Sequence, residues 1–259
     1  MKNISLLSWN VNGIRAVDRK GALEWLRVAE YDIVALQEIK LSDVSQLTDK
    51  VKNVPGYHSF WHPCLERKAY SGVAVYTKKE PKSVKTDFGK NSLLSREGRV
   101  IEMDFGDFIF LNIYFPNGGS GPERLDFKMR FYAEFLNYIK ALDKAGKNII
   151  FCGDVNTAHK PIDLARPKAN EEVSGFLPME RAWIDELVSA GFVDTFRLFH
   201  SEGERYTWWD QKSRARDRNV GWRIDYFFVN DQMKHKVVSA DILPNYMGSD
   251  HCPVTLGIK

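Results

Sequence analysis

With 259 residues, 44% hydrophobic and 27% charged, the chain is long enough for one large core and has the composition of an ordinary globular protein. Its 37 Lys and Arg against 34 Asp and Glu leave a net charge of only +3, which excludes a globally cationic polymer binder but allows a local basic face. Cys64, Cys152 and Cys252 are odd in number and lack metal-type spacing, and the N-terminus runs straight into a strand pattern with no long apolar segment. Reduced thiols, no signal peptide, no membrane span, a cytoplasmic location and a monomer are therefore expected.

In chain order, Ile4 to Trp9 reads as a first strand that ends in Asn10-Val11-Asn12-Gly13. Gly21 to Glu30 carries Leu23, Trp25, Leu26 and Val28 in a roughly helical pattern. The apolar run Ile33 to Leu36 reads as a second strand ending at Gln37-Glu38. Asn10 and Glu38 thus stand at the exits of two strands joined by a helix, a crossover layout that brings both exits to one sheet edge. Glu38 can also be read as a merely solvated residue after a strand.

Gly72 to Thr77 and Val100 to Phe105 are further strands, and Phe108 to Phe115 is the longest, with Phe105-Gly106-Asp107-Phe108 as a hairpin turn. After Pro116-Asn117-Gly118-Gly119, Gly121-Pro122 opens a helix that places Leu125, Phe131, Tyr132, Phe135, Leu136, Ile139 and Leu142 on one face, and Gly146 stops it. Asn148 to Cys152 form a short strand-core run that ends at Gly153, followed at once by Asp154 and Asn156. In extended backbone, residues two apart project from one face, so a carboxylate and a carboxamide would stand together at a buried strand end. A polar turn has the same composition.

Pro161 to Pro178 is long and polar with three prolines, the signature of a functional loop. Glu180 to Ala190 reads as a helix with Trp183, Ile184, Leu187 and Val188 inward, closed by Gly191. Tyr206 to Trp209, Ile224 to Val229 and Val254 to Ile258 are strands, and Ser249-Asp250-His251 precedes the last. Both halves contain strands that end in acidic or amide residues. The pattern predicts two packed sheets sharing one crevice, in a single domain over residues 1–259.

Asn10, Glu38, Asp154, Asn156, Asp225, Asp250 and His251 collect at strand ends, and each offers an oxygen or imidazole ligand. An oxygen-rich set without cysteine suits Mg²⁺ or Mn²⁺, and a hard cation among carboxylates is the equipment of phosphodiester cleavage. Asp154 can take a proton from water, Asn156 can orient that water, and His251 can hydrogen-bond a phosphate oxygen if Asp225 holds its ring. Residues 212–223 carry Lys212, Arg214, Arg216, Arg218 and Arg223 with Trp222 embedded, just after Tyr206-Thr207-Trp208-Trp209. Cations for phosphates beside stacking aromatics form a nucleic-acid signature, although a solvated charged loop beside a core strand fits as well. Lys68 is a further phosphate contact on the same logic.

The segments SWNVNGIR (8–15), LQEIK (36–40), YSGVAVYTK (70–78), NIYFPNG (112–118), GDVNTAH (153–159), GFLPMERAW (175–183), YTWW (206–209), NVGWRIDYFFV (219–229) and GSDHCPV (248–254) resemble, in order and spacing, the exonuclease III family of abasic-site DNA repair endonucleases. The resemblance implies a four-layer α/β sandwich of two mixed β-sheets flanked by helices, of the deoxyribonuclease-I-like endonuclease/exonuclease/phosphatase superfamily. It implies Mg²⁺-dependent incision of double-stranded DNA 5′ to an abasic site, leaving a 3′-hydroxyl, with 3′-to-5′ exonuclease and 3′-end-cleaning activity and room for other damaged bases.

Carried over by position, Glu38 would be the main metal ligand with Asn10 close by, and Asp250 would complete the set that Asp154, Asn156 and His251 join. Asp154 would be the general base, Asn156 would orient the nucleophile, Tyr114 would support phosphate or nucleophile, and His251 paired with Asp225 would bind the scissile phosphate. Asn117 and Asn170 would contact DNA, joined by Asn12 and by Lys68 and Arg214 as read from their charge, and Trp208, Trp222 and Ile224 would form the apolar slot for a baseless deoxyribose. The chain departs from the family at Asn12, where several members carry aspartate, at Trp208, often phenylalanine, and at Ser120, an arginine in some animal members. A phosphodiesterase for another phosphate ester, or a DNA-binding protein without catalysis, are the rival readings.

Overall fold

The computed structural model describes residues 3–24, 31–88 and 96–259. Along the chain the strands are β1 (Ile4–Asn10), β2 (Ile33–Gln37), β3 (His58–His62), β4 (Val73–Thr77), β5 (Ser83–Lys85), β6 (Val100–Asp104) and β7 (Ile109–Tyr114). They continue as β8 (Ile149–Asp154), β9 (Phe192–Asp194), β10 (Trp208–Trp209), β11 (Gly221–Trp222), β12 (Asp225–Asn230), β13 (Val237–Ile242) and β14 (Val254–Ile258). The helices that matter to the site are α1 (Ile14–Arg19), α2 (Pro122–Lys144) and α3 (Pro178–Ser189). The helical pattern expected over 21–30 lies largely outside the described residues.

Two six-stranded sheets run β13-β14-β1-β2-β4-β3 and β5-β6-β7-β8-β12-β9, and β10 pairs with β11 as a two-stranded ribbon. Both are mixed: β1 and β2 are parallel, as are β7 and β8, while the other pairs are antiparallel. The long helix α2 is the crossover between β7 and β8, as parallel strands require. Because two parallel neighbours leave the sheet at the same end, Asn10 with Glu38 and Tyr114 with Asp154 emerge side by side.

The sheets stack face to face, which explains why the strands read as unbroken apolar runs rather than alternating ones. Leu6, Ala35, Val75, Phe110, Ile150 and Phe227 fill the layer between the sheets. Their sequence neighbours point outward: Leu7, Val34 and Tyr76 pack toward α1, and Leu111, Phe151 and Phe228 pack with Phe131, Phe135 and Trp183 of α2 and α3. The result is the expected four-layer sandwich. A polar staple pins the two sheets: Gln37 Nε2 donates to Asn112 Oδ1 at 2.7 Å, and Asn112 Nδ2 donates to the carbonyls of Leu36 and Ala74. Both amides are fully buried, so their hydrogen bonds form in a low-dielectric interior where they count for more.

Gly153 has a local steric reason. Its φ is +140°, and a Cβ there would lie 1.8 Å from the Ile113 carbonyl oxygen of β7. Only glycine lets β8 approach β7 just before Asp154. Two expectations need correction. Val188 is exposed rather than inward, because the last turn of α3 borders a surface depression beside the edge strand β9, shared with Ile162 and Leu198. The expected strand over Tyr206 to Trp209 pairs only at Trp208 and Trp209.

Candidate active site

The strand exits meet at a cleft of about 470 Å³. Of the residues singled out from sequence, Asn12, Glu38, Tyr114, Asn117, Asp154, Asn156, Trp208, Trp222, Ile224, Asp250 and His251 line it. Asn10 and Asp225 are buried beneath. Three others lie elsewhere. Lys68 is exposed on the loop between β3 and β4, the Asn170 amide donates to the Arg166 carbonyl at 2.7 Å, and Arg214 is exposed on the loop between β10 and β11. Ser120 is exposed on the turn before α2.

The floor is a chain of hydrogen bonds. Asn10 Nδ2 donates to Glu38 Oε2 at 3.1 Å and to Asp154 Oδ2 at 2.9 Å, so one amide bridges carboxylates from the two sheets. Its orientation is set by the Asn12 amide N–H, which donates to Asn10 Oδ1 at 2.9 Å. Asn10 therefore presents hydrogens, not an oxygen, to the two carboxylates. Asn12 Nδ2 donates to Asp250 Oδ1 at 2.8 Å, and Trp208 Nε1 donates to Asp250 Oδ2 at 3.1 Å. Asp154 and Asn156 are brought together as expected, but by a turn rather than by extended backbone. Asn156 has φ +57°, its N–H donates to Asp154 Oδ1 at 2.8 Å and its Nδ2 to Asp154 Oδ2 at 3.1 Å. Asn117 Nδ2 donates in turn to Asn156 Oδ1 at 2.9 Å.

Left-handed backbone recurs at this site, at Asn12, Glu38, Lys40 and Asn156. Such conformations cost about 1 kcal/mol or more each outside glycine. They persist because the surrounding sheet ends over-determine them.

His251 is the electrostatic centre. Its Nδ1 lies 2.8 Å from Asp225 Oδ2, and its Nε2 lies 3.9 Å from Asp154 Oδ2, facing the cleft. Burial opposes the imidazolium, but Asp225 above all, then Asp154 and Asp250, outweigh it and push the ring up to about 10. It is thus cationic at neutral pH, with both ring nitrogens as donors. Asp154 sits directly opposite Asp225 in the β8–β12 ladder. Burial first, then that neighbouring carboxylate, push Asp154 up to about 7 against the pull of His251. For Asp250, burial is outweighed by His251 and by the bonds from Asn12 and Trp208, which hold it below the usual carboxylate range. Burial, with Glu38 and Asp154 nearby, keeps the Tyr114 phenol protonated, well above its ordinary value.

Asp154, Asp225 and His251 bring ligand atoms within 4.8 Å of one another, and Asp225 Oδ1 is buried without a hydrogen-bond partner among the described residues. With Glu38 and Asp250 on the same wall, the donor set is carboxylate-rich and free of thiolate, which fits a hard divalent cation.

Several functional neighbours escaped the sequence reading. Lys40 lines the cleft, pairs with Glu38 at 3.0 Å and donates to Asn12 Oδ1; its position two residues after Glu38 was the available signal. Val173, Ser174 and Gly175 of the proline-rich loop form part of the rim. Arg99 is fully buried with its guanidinium 4.8 Å from the Tyr114 ring centroid. The basic stretch divides: Lys212, Arg214 and Arg218 are exposed, Arg216 is half-buried and Arg223 is buried. Arg223 is bonded to Asp163 at 2.8 Å and Asp194 at 2.7 Å, so it has no phosphate to meet. Tyr206 and Trp209 are also core residues, and of that aromatic run only Trp208 reaches the cleft, 6.4 Å from Trp222 in an edge-to-face pair.

A sequence profile described as the Endonuclease/Exonuclease/phosphatase family matches residues 7–251. The chain is 43% identical over 258 residues to an exodeoxyribonuclease of Bacillus subtilis (strain 168), covering 99% of this chain and 100% of that protein. It is 40% identical over 256 residues to the DNA repair nuclease APEX1 of Danio rerio, covering 98% and 82%. Among solved structures it is similar to the AP endonuclease LMAP from Leishmania major, with a TM-score of 0.89, 30% identity and coverage of 100% and 88%. The 3′-5′ exonuclease NExo from Neisseria meningitidis gives a TM-score of 0.87, 26% identity and coverage of 99% and 100%.

Proposed function

The chain belongs to the endonuclease/exonuclease/phosphatase family, and from that premise we propose that it is an exonuclease III-like DNA repair nuclease, one catalytic unit that incises duplex DNA 5′ to abasic sites and trims 3′ ends. The observation that carries the reading is the pairing of a charged, Asp225-held His251 with an apolar slot walled by Trp208, Trp222 and Ile224 in the same cleft. A cationic donor suits a scissile phosphate. Apolar walls of this kind suit a sugar that has lost its base. The relatives named for exodeoxyribonuclease and DNA repair nuclease activity support the same substrate class.

Glu38 and Asp250 would hold a divalent cation, Mg²⁺ in this reading. When bound, such an ion neutralises phosphate charge and steadies the departing oxygen. The chain's own groups do the rest. Asp154, poised near 7, takes a proton from the attacking water. Asn156, locked by Asn117 and Asp154, fixes the direction of attack. His251 donates from Nε2 to a non-bridging oxygen, and the neutral Tyr114 hydroxyl is a further donor on the phosphate side. His251, being charged, acts as a donor to phosphate rather than as a metal ligand.

The test uses end-labelled duplexes with a single abasic analogue, a uracil or no lesion, incubated with Mg²⁺, Mn²⁺ or a chelator. The expected result is a cut immediately 5′ to the abasic analogue, leaving a 3′-hydroxyl, lost on chelation. Glu38→Ala should raise the Mg²⁺ concentration needed for half-maximal rate. Cleavage of undamaged and abasic duplex at equal rates, or full activity in chelator, would remove the proposal.

A further inference from the structure

We propose that Arg216 is a positioning residue and not a phosphate contact: a strut that ties the cationic loop 210–219 to segment 244–249 and so sets Asp250 and His251 against Trp208. The inference rests on reading the cleft as a nuclease site. Arg216 lies in one run with Lys212, Arg214 and Arg218, whose side chains are exposed. Its own guanidinium turns inward. Nη1 donates to the Ser249 carbonyl at 3.2 Å, and Nη2 donates to the carbonyls of Pro244 at 2.6 Å and Tyr246 at 2.7 Å. The group also lies over the Trp209 ring, 4.6 Å from its centroid. Three of five N–H donors and one face are committed to the protein.

The bridged segment leads straight into the site. Ser249 Oγ donates to the Asn10 carbonyl at 2.8 Å and accepts from the His251 N–H at 3.2 Å. The Asp250 carbonyl accepts from the Trp209 N–H at 3.1 Å, and its carboxylate accepts from Trp208 Nε1. Residues 244–248 lie outside any strand or helix and are exposed or half-buried, held besides by Lys20 Nζ, which donates to the Gly248 carbonyl at 2.7 Å. Arg216 therefore fastens an irregular segment to the loop that carries the exposed cations. A planar fork reaching three carbonyls is a task for guanidinium that a lysine ammonium, though equally charged, does not perform.

The experiment compares Arg216→Lys and Arg216→Ala with wild type for kcat, KM and the salt dependence of DNA binding, each per folded molecule. The strut predicts that Arg216→Lys loses kcat by about 10- to 100-fold, the scale of a small misplacement of reacting groups, while KM stays near wild type. It predicts an unchanged salt slope in Arg216→Ala, and recovery of that variant by added ethylguanidinium but not by ethylammonium at equal ionic strength. Near-normal kcat in Arg216→Lys, or a slope in Arg216→Ala lower by about one unit, would overturn it and make Arg216 a phosphate contact. The slope needs no turnover, so it judges the strut even if the wild-type protein were inert on abasic duplexes, an outcome that would defeat the functional reading instead.

Discussion

Lys128 offers the sharpest test of how the fold supports the cleft. It sits on α2 with no exposed surface, and its Nζ donates to Glu180 Oε1 at 2.6 Å, the Asn156 carbonyl at 2.8 Å and Thr157 Oγ1 at 2.9 Å. Glu180, also fully buried, accepts in addition from Ser174 Oγ at 2.9 Å and from the N–H groups of Gly175 and Leu177. The pair thus locks the proline-rich loop and the Asn156 backbone to the outer helices. Lys128→Met conserves the packed stem but strands a carboxylate in the interior, at a cost of about 3–5 kcal/mol. In a chain of this size, about 4 kcal/mol lowers the thermal midpoint by roughly 8–16 °C. The stranded carboxylate is relieved when it binds a proton, so the folded variant then carries one more proton than its unfolded chain. The deficit is accordingly largest at high pH and shrinks as pH falls. Urea unfolding followed by tryptophan fluorescence at pH 8 and pH 5.5 measures it, and Lys128→Met/Glu180→Gln should recover a large part. A deficit under about 1 kcal/mol at pH 8, or one equal at both pH values, would show that the pair does not carry the charge balance argued here.

Asp225→Asn removes the main support of the imidazolium that His251 keeps up to about 10. A charged donor binds phosphate more strongly than a neutral one, so kcat/KM falls once pH exceeds that value in wild type, and in the variant the alkaline limb moves toward neutrality; an unmoved limb contradicts the role. Asp154→Asn should lower turnover by roughly two or more powers of ten with DNA affinity largely kept, read from single-turnover rates against equilibrium binding. For Asp163, burial is outweighed by Arg223 and Arg197, which hold it below its ordinary value. Its stabilisation is present above the unfolded carboxylate value near 4 and is lost as pH falls through the lower folded value. Asp163→Asn should therefore be less stable at neutral pH and show a flatter decline below about pH 4, measured by thermal melts. Neutralising Arg214 and Arg218 together should reduce the salt slope of DNA binding by about one unit per true phosphate contact, and an unchanged slope would mean that this loop is only solvated.

The eight interior strands, β14, β1, β2 and β4 in one sheet and β6, β7, β8 and β12 in the other, were legible because most of their residues are buried, on both faces in β2, β4, β7, β8 and β12 and on alternate residues in β14. The four that escaped notice as sheet strands, β3, β5, β9 and β13, are the edges of the two sheets. Edge strands carry exposed or mixed side chains, such as Ser83–Lys85 and the alternation of Val237–Ile242, so no hydrophobic run marks them. The helix face from Leu125 to Leu142 was legible for the same reason as the interior strands, since burial by one neighbouring layer leaves a periodic trace.

At the cleft, sequence alone determined which residues stand at strand ends: Asn10, Glu38, Asp154, Asn156, Asp225, Asp250 and His251. That follows from local pattern, because an apolar run must stop where the chain leaves the core. Only the tertiary structure decided what each group faces. It turned the Asn10 amide hydrogens toward Glu38 and Asp154, put Asn156 beside Asp154 through a left-handed turn, and set Lys40 on Glu38. It also split one basic run into an outward trio, an inward strut at Arg216 and a buried ion pair at Arg223. The physical reason is range. Periodicity reports the burial of one element, whereas the direction of a donor and the fate of a charge depend on partners such as Asp163, sixty residues from Arg223, that only folding brings within hydrogen-bond distance.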